Sequence, residues 1–202
     1  MIALRRIMSL IIGLAFIAGC AGSSRTVNRV AVDQSSDISG RWNDTDARMT
    51  AEYMVRELLS RNWLSDFEEK YDKKPFLIVD KIKNRTSEHL DPAVFVKEIE
   101  KELINSGQVY FVASKKEREA VRGERMDQQS YASFDSAKEL AKEQAADFML
   151  RGTITSVVDK FDTERSILYK VSLELVNVEN SIKVWMGNKD IKKLIHQDKY
   201  KW

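Results

Sequence analysis

Tyr169, Val171, Leu173 and Leu175 alternate with Lys170, Ser172 and Glu174. A period of two places the first set on one face of a strand and the second on the other. This stretch therefore reads as a half-buried antiparallel strand, with one face on a core and one in water. The rest of the chain must supply neighbouring strands and a layer that covers the apolar face.

The cover is legible upstream. Ala47, Ala51, Met54, Val55 and Leu58 recur on one helical face, so a helix is expected from Asp44 to Asn62, capped by Asn43 or Asp44, with Trp42 placed to staple it. The run "FLIVDKIKN" after Pro75 reads as a strand covered on both faces, because four apolar residues follow one another. Asp91 and Pro92 open a second helix whose buried face is Phe95, Ile99 and Leu103, and Gly107 ends it as the left-handed residue. "VYFVA" is the next strand.

Ser114-Lys115-Lys116-Glu117 is a capping-box pattern. It opens a helix expected to reach about Arg125 and to pass into a loop, "MDQQSYASFD". Ser136 to Glu139 repeats the capping pattern and opens a further helix. "ADFMLRGTITSVVD", the alternating strand and "KVWMGNKDIKKLI" complete the sheet, and the tail "HQDKYKW" is expected to fray. The order α-β-α-β-α-α-β-β-β implies one α/β domain, a single mixed β-sheet with flanking helices, over residues 37–202.

The first residues belong to a different regime. Arg5 and Arg6 precede an apolar run, Ile7 to Ala18, broken only by Ser9. The run is shorter than the ~20 residues that a bilayer span needs, and it fits a signal peptide over residues 1–19. The sole cysteine follows at once. Ile17-Ala18-Gly19-Cys20 resembles the bacterial lipobox, which implies that Cys20 is acylated and becomes the first residue of the mature chain. Two or three acyl chains give the stable anchoring that a single chain cannot. Ala21 stands where an aspartate would mark inner-membrane retention, so the periplasmic face of the outer membrane is the expected location. Residues 20–36 read as a short tether without proline; the sixteen residues after Cys20 reach at most ~55 Å at ~3.4 Å each.

Charge and chemistry exclude several classes. Of 33 basic residues, Arg5 and Arg6 leave with the signal peptide, so the mature chain holds 31 basic and 31 acidic residues. A nucleic-acid binder usually carries a basic surplus. One cysteine cannot form an internal disulfide or a cysteine-based metal cluster. Glu88, His89 and Asp91 lie close in sequence, but Asp91 is already assigned as a cap and His89 as a solvated loop residue. No nucleophile elbow, Walker loop or dinucleotide fingerprint is present in the sequence. No catalytic residue, metal or cofactor is expected.

The words "FLIVDKIKNRT", "LINSGQVYFVASKKERE", "AADFMLRGTITSV" and "LELVNVENSIKVWMG", in this order over roughly residues 40–195, resemble the LpoB-type penicillin-binding-protein activator lipoproteins. The resemblance implies a fold like the N-terminal domain of TolB. It also implies a non-enzymatic protein that docks on a bifunctional class A penicillin-binding protein and stimulates it. Asn84-Arg85-Thr86 matches the family's NRT word, with a structural role as a strand-to-helix loop. The enterobacterial members carry a long proline-rich linker, whereas here the only prolines are Pro75 and Pro92, inside the folded part.

A binding protein without chemistry must present a surface. The nearly all-charged helix from Lys115 has only Ala120 and Val121 as apolar residues, so packing does not account for its composition. Arg122, Arg125, Gln128, Gln129 and Tyr131 are the candidate partner-binding residues, since Arg and Tyr are favoured interface anchors. The alternative is a TolB/CsgG-like lipoprotein serving envelope assembly or secretion. A membrane barrel would favour it, but the neighbours of the long alternating strand lack a repeated outward apolar face. A monomer is expected.

Overall fold

The computed structural model describes Ala31, residues 37–131 and residues 145–196, with side chains at 129–131 left out. Cys20, the helix expected at Ser136 and the tail beyond His196 lie outside the described residues. The chain divides into two compact units, Met1–Gln34 and Ser35–Trp202, and the described fold belongs to the second.

Helix α1 (Asp44–Leu59) starts where the sequence places it. Asn43 accepts from the Asp46 amide and Asp46 accepts from the Asn43 amide, which closes a capping box. The helix stops earlier than expected, at Leu59, and a second helix, α2 (Asn62–Tyr71), follows. Ser60 caps the first, its amide bonding back to Arg56. The second is absent from the sequence expectation. Its signal is short: Trp63, Leu64 and Phe67 form a single apolar stripe, and Asp72 ends it in the left-handed region at φ 49°.

Strand β1 (Phe76–Arg85), helix α3 (Pro92–Ser106) and the two-residue strand β2 (Tyr110–Phe111) come next. Asp91 accepts from the Ala93 amide at the start of α3, and Gly107 caps its end at φ 65°, as expected. Helix α4 (Lys115–Tyr131) then runs six residues past the expected end, through the segment expected to be a loop. Met126, Gln128 and Gln129 are good helix formers, and no proline interrupts them. Strands β3 (Phe148–Phe161), β4 (Glu164–Asn177) and β5 (Lys183–His196) complete one mixed sheet in the order β2-β1-β3-β4-β5. β1 is parallel to β2 and β3, and β3-β4-β5 is antiparallel.

Registers show which residues share a face. Leu150 lies opposite Leu175, Gly152 opposite Leu173, and Ile154 opposite Val171; Trp185 continues the Leu175 row. Helices α1 and α3 pack on each other and on this face. Met54, Leu58, Phe95, Ile99 and Leu103 close over Leu77, Leu150, Leu173 and Leu175, all essentially solvent-free. Truncating one such side chain to alanine costs roughly 2–5 kcal/mol. Helix α2 plugs one end of the sheet: Trp63 and Phe67 meet the Phe148 ring edge-on at 5.2 and 5.4 Å, and the Trp63 indole donates to the Leu58 carbonyl.

β1 departs from the expectation of two covered faces. Leu77 is fully buried, but Phe76, Ile78 and Val79 are half-buried. Among the described residues, the helices packed on the sheet, α1 and α3, lie on the Leu77 face. On the other, Phe76 stacks on Tyr110 at 5.0 Å.

Candidate docking surface

Two polar systems lock the surface elements before α4 is considered. In the first, Asn84 ties its loop into a knot. Its carboxamide oxygen accepts from the Thr86 amide and hydroxyl, and its amide nitrogen donates to the Glu88 carbonyl at 2.9 Å. The knot delivers Glu88 inward, where its carboxylate accepts from the Tyr169 hydroxyl at 2.7 Å. The same hydroxyl accepts from the Trp42 amide at 3.0 Å, and the Trp42 ring packs edge-on against Phe95 and Tyr169. Burial first, then the adjacent Glu88 carboxylate, pushes the Tyr169 phenol above its usual pKa. Glu88, His89 and Asp91 therefore do not converge: Glu88 serves Tyr169, Asp91 caps α3, and His89 is exposed.

In the second system, Lys193 on β5 reaches three partners. Its ammonium lies 2.6 Å from Asp37, 2.5 Å from Asp46 and 2.9 Å from the Arg41 carbonyl. Burial lowers the Lys193 pKa, but the hydrogen bonds to Asp37 and Asp46 outweigh it and the net direction is up. Residues 37–43 are thus a strap, fastened to β4 through Tyr169 and to β5 through Lys193. Neither fastening is visible in the sequence. The one available hint is a tyrosine at a buried strand position, which needs a partner for its hydroxyl.

α4 contrasts with all of this. From Lys115 to Gln128 every residue is exposed except Arg118 and Arg125, which are half-buried. Val121 and Met126 are 46% and 71% exposed. The helix is held at its start, where the Ser114 amide donates to Glu117 at 2.8 Å and the Lys97 ammonium of α3 meets Glu117 at 3.0 Å. At about 100° per residue, Arg122 and Arg125 fall within one stripe, with Met126 on the Arg122 side of it. Gln128 donates to Glu124 at 2.9 Å. Arg122 and Arg125 each already make an interaction of their own. The five candidates share this one helix.

The family described as peptidoglycan-synthase activator LpoB matches residues 46–191. This chain belongs to the LpoB family. The matched span contains the Glu88–Tyr169 pair and all five candidate residues of α4, while Cys20 and the strap at residues 37–43 lie before it. No curated protein matches significantly in sequence. Among solved structures, the chain is similar to the LpoB C-terminal domain from Escherichia coli, at 18% identity and a TM-score of 0.41, covering 75% of this chain and 99% of that one. The corresponding domain from Salmonella enterica gives 17% identity and a TM-score of 0.36, covering 63% and 91%. The solution structure of E. coli LpoB gives 16% and 0.41, covering 89% and 88%. The LpoB-family fold is the single mixed sheet with flanking helices that the sequence implies.

The start of α4 is pH-sensitive in a defined direction. Hydrogen bonds from Ser114, followed by the Lys97 ammonium, hold the Glu117 carboxyl down at about 2. A carboxyl depressed in the folded state stabilises fully above its unfolded value, near 4.5, and loses that contribution as pH falls toward 2. The protection factors of the Ser114 and Glu117 amides, taken against the intrinsic exchange rate at each pH, are expected to fall on acidification through this window, ahead of that of Leu173 in the core. Glu117→Gln should remove the acid dependence.

Proposed function

We propose that the chain is a lipoprotein of the outer membrane, anchored through Cys20 and facing the periplasm, whose domain at residues 37–202 binds a class A penicillin-binding protein and raises its rate of glycan polymerisation. It performs no chemistry of its own. The observation that carries this reading is the LpoB-family match across residues 46–191. Among the described residues no helix is long and apolar enough to cross a membrane, which accords with a lipid as the anchor.

An activator acts by binding the active conformation of its target more tightly than the inactive one. The energy must come from an interface, and α4 is the helix that the fold leaves almost wholly outside its core. Arg122 and Arg125 are the proposed contact, with Gln128, Gln129 and Tyr131 further along the same helix.

The test is stimulation of the class A synthase from the same cell by the purified mature protein, at two salt concentrations. Wild type is expected to raise the polymerisation rate. Arg122→Glu/Arg125→Glu is expected to weaken binding by about 1–3 kcal/mol, with folding intact because neither side chain lies in the core. Full stimulation by the double variant would remove α4 from the interface. No binding of wild type to any class A synthase of the cell would remove the function and favour the envelope-assembly alternative.

A further inference from the structure

Strands β3, β4 and β5 are each fourteen residues long and outrun the helices packed on them. At the far end, on the face away from α1 and α3, the registers gather four large apolar side chains. Val157 lies opposite Leu168, Leu194 lies one pair further along opposite Ser166, and Phe161 lies in the last row opposite Glu164. Phe161 is 85% exposed, Leu194 80% and Val157 67%, with Leu168 half-buried between them. Scattered apolar residues on a surface need no explanation, but a cluster at one tip does.

The charges beside the cluster are ordered. Lys192 shares the Val157–Leu168 row, and Lys83 and Arg85 lie on the same face of β1, opposite Thr153 and Thr155. These three cations form no ion pair among the described residues, whereas Lys170, between them, is held by Asp190 at 2.8 Å. Three acids sit at the tip itself: Asp159, Glu164 and, in the turn between β3 and β4, Asp162. An apolar tip backed by unpaired cations is the composition of a surface that rests at lipid headgroups. The three carboxylates limit it to that depth and exclude insertion into hydrocarbon.

The place where the chain enters the fold favours the same occupant. The strap, which begins at Asp37, reaches β5 at Lys193, the residue before Leu194, so the described chain enters the fold beside this end of the sheet. Beyond His196, which lies opposite Glu164, the sequence continues with Lys199, Tyr200, Lys201 and Trp202, residue types that favour the membrane interface.

We infer that the tip formed by Val157, Phe161, Leu168 and Leu194, with Lys83, Arg85 and Lys192, is a phospholipid-facing surface that seats the domain against the membrane holding its anchor. This rests on the anchoring of Cys20. It gives the domain a membrane end, at the β3–β4 turn, and a distal end at α2.

Because Cys20 is the only cysteine and is acylated in the mature chain, one introduced thiol can carry a unique spin label. The lipidated protein with Phe161→Cys, Leu194→Cys or Glu68→Cys is placed in nanodiscs of phosphatidylethanolamine and phosphatidylglycerol. Collision with oxygen, which partitions into lipid, is compared with collision with an aqueous nickel chelate. Glu68 is exposed on α2, at the distal end. The ratio of oxygen to nickel accessibility is expected to be several-fold higher at 161 and 194 than at 68. Equal ratios at all three positions would overturn the inference. So would protection of position 161 from both agents that grows with protein density, because a second copy would then be the occupant. Mass spectrometry separates this from the anchor reading. If Cys20 carries no acyl group, that reading fails, and the unlipidated chain, with Cys20→Ser so that the introduced thiol alone takes the label, is mixed with vesicles of the same lipids. A raised ratio there supports the surface on its own, and an unchanged one overturns it.

Discussion

Gly152→Ala is expected to lower the unfolding free energy of the mature protein by about 3 kcal/mol, seen as a lower urea midpoint at an unchanged slope. The position lies on β3 opposite Leu173 of β4, on the face that carries the core. A Cβ there would lie 2.2 Å from the Ser172 carbonyl oxygen and 3.2 Å from the Leu173 Cα. Both are backbone atoms in the middle of a continuous ladder, so relief requires the two strands to separate rather than one side chain to turn. Gly123 is the internal control. It lies in α4, and an added Cβ would meet nothing within 4 Å, so Gly123→Ala is expected to stabilise by about 0.5–1 kcal/mol through helix propensity. A Gly152→Ala protein as stable as wild type would show that β3 and β4 do not approach so closely.

Lys193→Met is expected to cost about 3 kcal/mol, because it strands charge in a place that water hardly reaches. The Lys193 and Asp46 side chains are 9% and 10% exposed, and the same ammonium holds Asp37 and the Arg41 carbonyl. Lys170→Met breaks an ion pair of the same geometry, Lys170–Asp190, in which both side chains are 47% exposed, and is expected to cost under about 1 kcal/mol. Burial, not distance, separates the two. The Lys193 pKa is raised in the fold, so its contribution is complete below the ordinary value of 10.5 and fades only as pH rises beyond it. Beyond the loss of stability, Lys193→Met should speed amide exchange at residues 37–42 selectively. Uniform acceleration across the domain would contradict a local strap.

Where a signal is local, it can be read directly. Asn43, Asp91 and Ser114 cap the helices that they precede, because a short polar side chain reaches amides two or three residues on, within its own turn. The alternation from Tyr169 to Leu175 becomes β4 with the expected residues inward. Misreadings arise where two local rules compete or where the environment is set at a distance. "FLIV" reads as doubly covered, but how many layers flank a strand is decided by where the helices pack. α2 hides in ten residues with a single stripe, too short for periodicity to separate it from a connection. α4 outlasts its apolar pattern because its residues favour helix even without packing.

The docking residues are legible only as composition. Sequence singles out an unpackable charged helix and five side chains on it. The helical path then places Arg122 and Arg125 within one stripe.

By itself the sequence determined the strand that must lie half in water, the helix starts, the family words and the single cysteine behind an apolar run. Each of these is a relation between residues a few positions apart. The tertiary structure alone decided that Glu88 meets Tyr169 across 81 positions, that Lys193 gathers Asp37 and Asp46 from the other end of the domain, and that the sheet's far tip is left apolar and uncovered. The reason is physical: periodicity reports which face a side chain occupies, while the partner on that face is set by the packing of segments that carry no mark of one another.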